Sequence, residues 1–140
     1  MRSILTCVVV LCAAGLALAQ NQASISIKTM PPVVVKTVPQ SGDTDVDPGL
    51  PELSATFSKD MQDGNWSWVQ ASPPENYPRG TGKPHYLDEH RTCVLPVKLE
   101  PGRTYVVWLN LGKFSSFMDT EHNRSVSYLL VFQTRAASSK

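Results

Sequence analysis

"LEPGRTY", residues 99–105, is the stretch on which the fold turns. Leu99 closes one alternating run, Pro101-Gly102 is a turn pair, and Tyr105 opens the next run. Proline presets φ and glycine supplies φ > 0, so the backbone can reverse here at little cost. A tyrosine just past such a turn can point its ring inward and bond a backbone group across the corner through its phenol. The other reading of Tyr105 is an ordinary strand tyrosine. Either way "TYVVWLNL" (104–111) predicts a strand, with Tyr105, Val107 and Leu109 on the buried face and Val106 and Trp108 on the other.

The same period of two extends outward in both directions. Upstream, "TCVLPVKL" (92–99) sets Cys93, Leu95, Val97 and Leu99 on one face, and "ELSATFS" (52–58) does so with Leu53, Ala55 and Phe57. "VVVKTV" (33–38) is β-branched and ends at Pro39, and "NWSWVQ" (65–70) puts Trp66 and Trp68 on one face. "HYL" (85–87) is a short candidate strand, and "VSYLLVFQT" (126–134) completes the set. Gly, Pro, Asp and Asn clusters fall between these runs, while 71–84, "ASPPENYPRGTGKP", reads as a structured loop. No long amphipathic helix and no internal repeat follows residue 20. The expectation is an all-β, Ig-like antiparallel β-sandwich with Greek-key connections and about seven strands.

These features also carry a resemblance. "LEPGRTY" resembles the tyrosine corner of Greek-key sandwiches. "PPVVVKTVPQSGDTDVDPGLPELSATFSKDM" (31–61) resembles the opening of bacterial Ig-like domains of the SbsA type. Those run from Pro-x-Val through a Gly-containing turn to a strand ending Phe-Ser. The Asp-rich turn "MDTEHN" (118–123) and a last strand ending at Phe132 and Thr134 fit the same order, so the resemblance spans about residues 31–135. It departs from the pattern in the long Pro-rich 71–84 loop and in lacking a glycine before Asn123. It implies a non-catalytic module of a type usually repeated within large surface proteins, with Phe57, Cys93, Tyr105 and Phe132 as structural residues.

The chain has 140 residues and opens with Met1-Arg2, an apolar run from Ile4 to Leu18, and Ala17-Leu18-Ala19. A basic start, a short apolar run and a small-x-small site predict a signal-peptide helix at 1–19. The run falls short of the roughly 20 residues that span a bilayer. Residues 20–30 are expected as a flexible leader, 31–135 as the domain and 136–140 as a disordered tail. Cys7 and Cys12 would leave with the signal, so Cys93 stands alone and no intrachain disulfide forms. Removing Arg2 from the 13 basic residues leaves 12 against 12 acidic ones, which gives no electrostatic case for nucleic acid or an anionic membrane. A secreted, periplasmic or cell-surface monomer is expected.

"GDTDVDPG" (42–49) alternates Asp43, Asp45 and Asp47, as oxygen-rich calcium loops do. An EF-hand starting at Asp43 needs Gly at its sixth position and Glu at its twelfth, where Pro48 and Ser54 stand. Turn chemistry is the reading adopted, the resemblance implying that Val46 packs inward, with Asp43, Asp45, Asp47 and Asp119 the weak candidates for a metal. No metal and no cofactor is expected. Cys93 is in phase with core residues, and His85, His90 and His122 lack zinc spacing, so no catalysis is expected.

The aromatics leave two functions open. Trp66, Trp68, Tyr77, Tyr86 and Trp108 could form a contact surface for a protein or a cell-envelope polymer, since flat rings stack on both. They could equally fill the core, with Trp108 beneath the 71–84 loop. The first reading makes the chain a small binding module for carbohydrate or a similar ligand. The second makes it a structural or protein-binding module.

Overall fold

The computed structural model describes residues 24–139. The expected signal peptide, the first leader residues and Lys140 lie outside the described residues. The strands are β1 (Val34–Val38), β2 (Glu52–Phe57), β3 (Trp68–Val69), β4 (Arg79–Gly80), β5 (His85–Tyr86), β6 (Thr92–Lys98), β7 (Thr104–Leu109) and β8 (Tyr128–Gln133). One antiparallel sheet runs β1-β2-β6, with β4 and β5 sharing the far edge of β6; the other runs β3-β7-β8.

Period-two patterning puts the core where it is expected. Leu53, Ala55 and Phe57 of β2 and Cys93, Leu95 and Val97 of β6 are buried against Tyr105, Val107 and Leu109 of β7 and Leu130 and Phe132 of β8. Burying a Leu, Val or Phe side chain contributes about 1.5–3 kcal/mol, so these inner faces are the main source of stability. Glu100 N–H donates to the Tyr105 phenol oxygen (2.8 Å), and the Tyr105 ring packs on Phe132 at 5.4 Å. Thr134 Oγ1 ties the same corner, donating to Glu100 O (2.6 Å) and accepting from Arg103 N–H (2.9 Å). Gly102 takes φ 64°, the left-handed value that glycine adopts without a Cβ clash.

The short strands differ from expectation. Eight form rather than about seven, because 71–84 is not all loop: Pro74–Asn76 makes one 3-10 turn and Arg79–Gly80 pairs with Lys98 and Val97. The 65–70 strand shrinks to two residues. Ser67 turns away to accept Asn110 N–H on its carbonyl (3.1 Å) and Ser116 N–H on its hydroxyl (2.8 Å). Asn110, at φ 57° and 1% exposed, then replaces strand pairing as the organiser of the next loop. Its Nδ2 donates to Phe117 O (2.9 Å) and Ser125 O (3.1 Å), and its Oδ1 accepts from Phe117 N–H (3.0 Å). This seats Phe117 in the core, 5.0 Å from Phe57 and edge-on to Trp68 at 5.7 Å.

After β1 the chain crosses to the other sheet. Gly42 N–H donates to Val131 O (2.7 Å), Gln133 N–H to Asp43 O (2.8 Å), Val46 N–H to Gln133 O (3.0 Å) and Arg135 N–H to Val46 O (2.9 Å). Val46 meets Thr134 as a parallel bridge and is buried, as the family resemblance implies. Residues 24–30 touch the domain as well: Lys59 Nζ donates to Met30 O (2.8 Å) and Asn123 Nδ2 to Lys28 O (3.0 Å).

Candidate functional site

Two-residue strands cannot close the side of a sandwich. β3 ends one sheet and β4 the other, and the 71–84 segment crosses between them. The result is an open groove of about 480 Å³ lined by Trp66, Ser67, Trp68, Val69, Gln70, Tyr77, Pro84, Leu95 and Phe114. Tyr77 is fixed in its wall, donating from Oη to Trp68 O (3.1 Å), and burial raises its phenol pKa. The Trp66 ring carries Lys83 Nζ at 5.5 Å, and the Phe114 ring carries Lys113 Nζ at 5.2 Å. Phe114 is 55% exposed, whereas Trp66, Trp68 and Tyr77 are half-buried against the core.

Of the five aromatic candidates, the groove brings together Trp66, Trp68 and Tyr77. It does not include Tyr86, whose Oη donates to Asn65 O (3.0 Å) beside Cys93, where burial raises the phenol pKa. Trp108 lies on the outer face of β7, half-buried, across from Val69 and Leu129. Phe114 and Gln70 were not singled out by sequence. Phe114 sits in a tight turn after Gly112, where no periodicity marks it.

The four aspartates considered for a metal do not share a site. Asp43, Asp45 and Asp47 precede β2, whereas Asp119 pairs with Met61, beyond the other end of that strand. Each does turn or pairing work. Asp43 Oδ2 accepts Gln40 N–H (3.0 Å), Asp47 Oδ1 accepts Gly49 N–H (2.8 Å), and Asp45 Oδ1 is 3.4 Å from Arg135 Nε. Asp119 is fully buried and already holds a cation, the Lys59 ammonium. Its Oδ1 also accepts Glu121 N–H (2.9 Å) and Asn123 N–H (2.8 Å), and its Oδ2 accepts Asn123 Nδ2 (3.0 Å). Burial alone would raise the Asp119 pKa, but Lys59, then Asn123 and the two backbone groups, outweigh it and hold the carboxyl below the usual range.

Phe57, Cys93, Tyr105 and Phe132 are all buried, at 0–3% exposure. Burial pushes the Cys93 thiol up to about 12, so the thiolate needed for nucleophilic chemistry is not populated near neutral pH. His85, His90 and His122 are exposed. Among the described residues no three His, Cys, Asp or Glu side chains cluster as metal ligands.

A family model described as a bacterial Ig-like domain matches residues 28–134. Among solved structures, the chain is similar to the S-layer protein rSbsC at 16% identity and a TM-score of 0.48, covering 78% of this chain and 14% of that one. It is similar to domains 1–6 of the surface layer protein SbsC at 17% identity and a TM-score of 0.49, covering 79% and 14%. Against the N-terminal part of the bacterial S-layer protein SbsC the values are 18%, 0.48, 76% and 24%. The chain therefore spans at most 24% of these chains' lengths. No curated protein sequence matches it.

Proposed function

This chain belongs to the bacterial Ig-like domain family, and from that premise we propose that it is an exported, non-catalytic module of the cell envelope with a structural or protein-binding role. The observation that carries the reading is the extent of the match, 28–134, which takes in both sheets and the corner. The state of the reactive groups supports it: the Cys93 thiol is buried and protonated, and Asp119 is spent on Lys59. Within the family, the order of motifs from Pro31 to Thr134 favours the SbsA type. Residues 1–19 are proposed as the export signal, and the exported product as a monomer. Fractionation of cells expressing the full chain with a C-terminal tag tests this. A tag found outside the cytoplasm, on a protein cut after Ala19 and running as a monomer by light scattering, is expected. An uncut protein in the cytoplasm would refute the reading.

One observation favours a second reading, a ligand-binding module. The 480 Å³ groove gathers three candidate aromatics with Gln70 and Ser67, flat rings beside hydrogen-bonding groups.

A further inference from the structure

The groove does not end at Tyr77. On the other side of that residue lies a smaller cleft of about 180 Å³, lined by Pro74, Glu75, Tyr77, Arg79, Lys98, Glu100, Arg103 and Tyr105. Tyr77 lines both, so groove and cleft flank a single ring. A ligand the length of a disaccharide laid across that ring touches both.

The charge along this edge is one-sided. Ion pairs among the described residues use Lys28, Lys59, Arg91, Arg103 and Arg135. Lys83 and Lys113, over the groove's aromatic rings, and Arg79 and Lys98, in the cleft, are in none of them. Arg79 and Lys98 face each other across β4 and β6, a like-charge pairing that costs stability unless an anion sits between. Within the cleft Glu100 is taken by Arg103 at 2.7 Å, which leaves Glu75 as the one free carboxylate against Arg79 and Lys98 there, with Lys83 and Lys113 over the groove beside it.

From this arrangement we infer that groove and cleft are one binding site for an acidic polysaccharide, a polymer whose sugar rings carry carboxylates. A sugar face stacks on Trp66 and Phe114, Gln70 and Ser67 bond its hydroxyls, and Arg79 and Lys98 take the carboxylate. A peptide fits less well. β3 is two residues long and its Trp68 carbonyl is occupied by Tyr77, so it offers little edge for strand addition. The inference rests on the ligand-binding reading above and adds its substrate class.

Affinity electrophoresis of the folded chain tests it, with polygalacturonate, neutral dextran and poly-glutamate in parallel gels. Retardation by polygalacturonate alone is expected, weakened about tenfold or more when salt rises from roughly 50 to 500 mM, because exposed charges are screened. Arg79→Gln/Lys98→Gln and, separately, Phe114→Ala are expected to weaken it about tenfold each, with circular dichroism unchanged since all three side chains are exposed. Retardation by dextran but not polygalacturonate would keep the ligand-binding reading and overturn the acidic class. Equal retardation by poly-glutamate, indifference to either variant, or no retardation in any gel would overturn the inference.

Discussion

Replacing Lys59 by methionine keeps the stem's apolar length and removes the ammonium. In the native protein that ammonium is bonded to Asp119, whose side chain is 1% exposed, while the Lys59 side chain is 13% exposed. Removing one partner of a buried pair costs about 3–5 kcal/mol, because the other charge is left uncompensated. Asp119 keeps three hydrogen bonds, two to backbone N–H groups and one to Asn123, so the lower end, about 3 kcal/mol, is expected. That is a large share of a domain's total stability of about 5–15 kcal/mol. With a urea slope of about 1.5 kcal/mol/M, the unfolding midpoint should fall by about 2 M. The pH dependence has a fixed sign. Asp119 has a lowered pKa when folded, so it stabilises the fold above the ordinary carboxylate value of about 3.9, and that stability is lost as pH falls through the lowered value. In Lys59→Met, burial is no longer opposed by the ammonium, the pKa rises, and acid unfolding should begin at higher pH. Urea titrations from neutral to acid pH, on wild type, Lys59→Met, Asp119→Asn and the double variant, measure both effects. A loss under 1 kcal/mol for Lys59→Met, or single losses that simply add in the double variant, would refute the reasoning.

The corner bond gives a smaller effect. Tyr105→Phe removes the acceptor of Glu100 N–H while the ring stays on Phe132, so about 1 kcal/mol is expected in urea unfolding. Tyr128→Phe is the comparison, half-buried and without such a bond among the described residues; equal losses would remove the corner role. Asn110→Ala should cost about 3–4 kcal/mol, combining three lost hydrogen bonds with a strained positive φ, and Asn110→Gly should recover about 1 kcal/mol of it. Cys93→Ala should cost about 1–2 kcal/mol by leaving a cavity, and native Cys93 should resist a bulky thiol reagent; labelling as fast as in urea would show that it is not buried.

The long strands were legible because burial on one face leaves a period of two in the sequence. β2 and β7 show it cleanly, whereas β6 also buries Val94 on its other face, and Val46 was placed inward through the family resemblance. The groove was only half legible. Trp66, Trp68 and Tyr77 stand out by residue type, but β3 and β4 are two residues each, too short for any period. Phe114 comes from a turn. The Lys59–Asp119 pair joins positions 60 residues apart, a contact that no local pattern records. Net charge does not record how charge is spread. A chain at +1 overall can still carry unpaired cations along one edge.

The crossing from β1 to β8 has a mechanical consequence. Residues 42–46 run parallel to 131–135, joined by four backbone hydrogen bonds. Parallel neighbours have their starts at the same end. A pull on the N-terminal side of the first segment and on the C-terminal side of the second drags them past each other. All four bonds then bear the load together, instead of opening in turn as at the end of a hairpin. Tension between the two ends of the domain meets this patch as a shear joint, backed by Arg135 and Asp45 at 3.4 Å. Stretching single molecules by the ends should give one high rupture force. Thr44→Ala should leave that force unchanged, since Thr44 makes no hydrogen bond among the described residues, whereas Val46→Pro, which deletes the Val46 N–H bond to Gln133, should lower it.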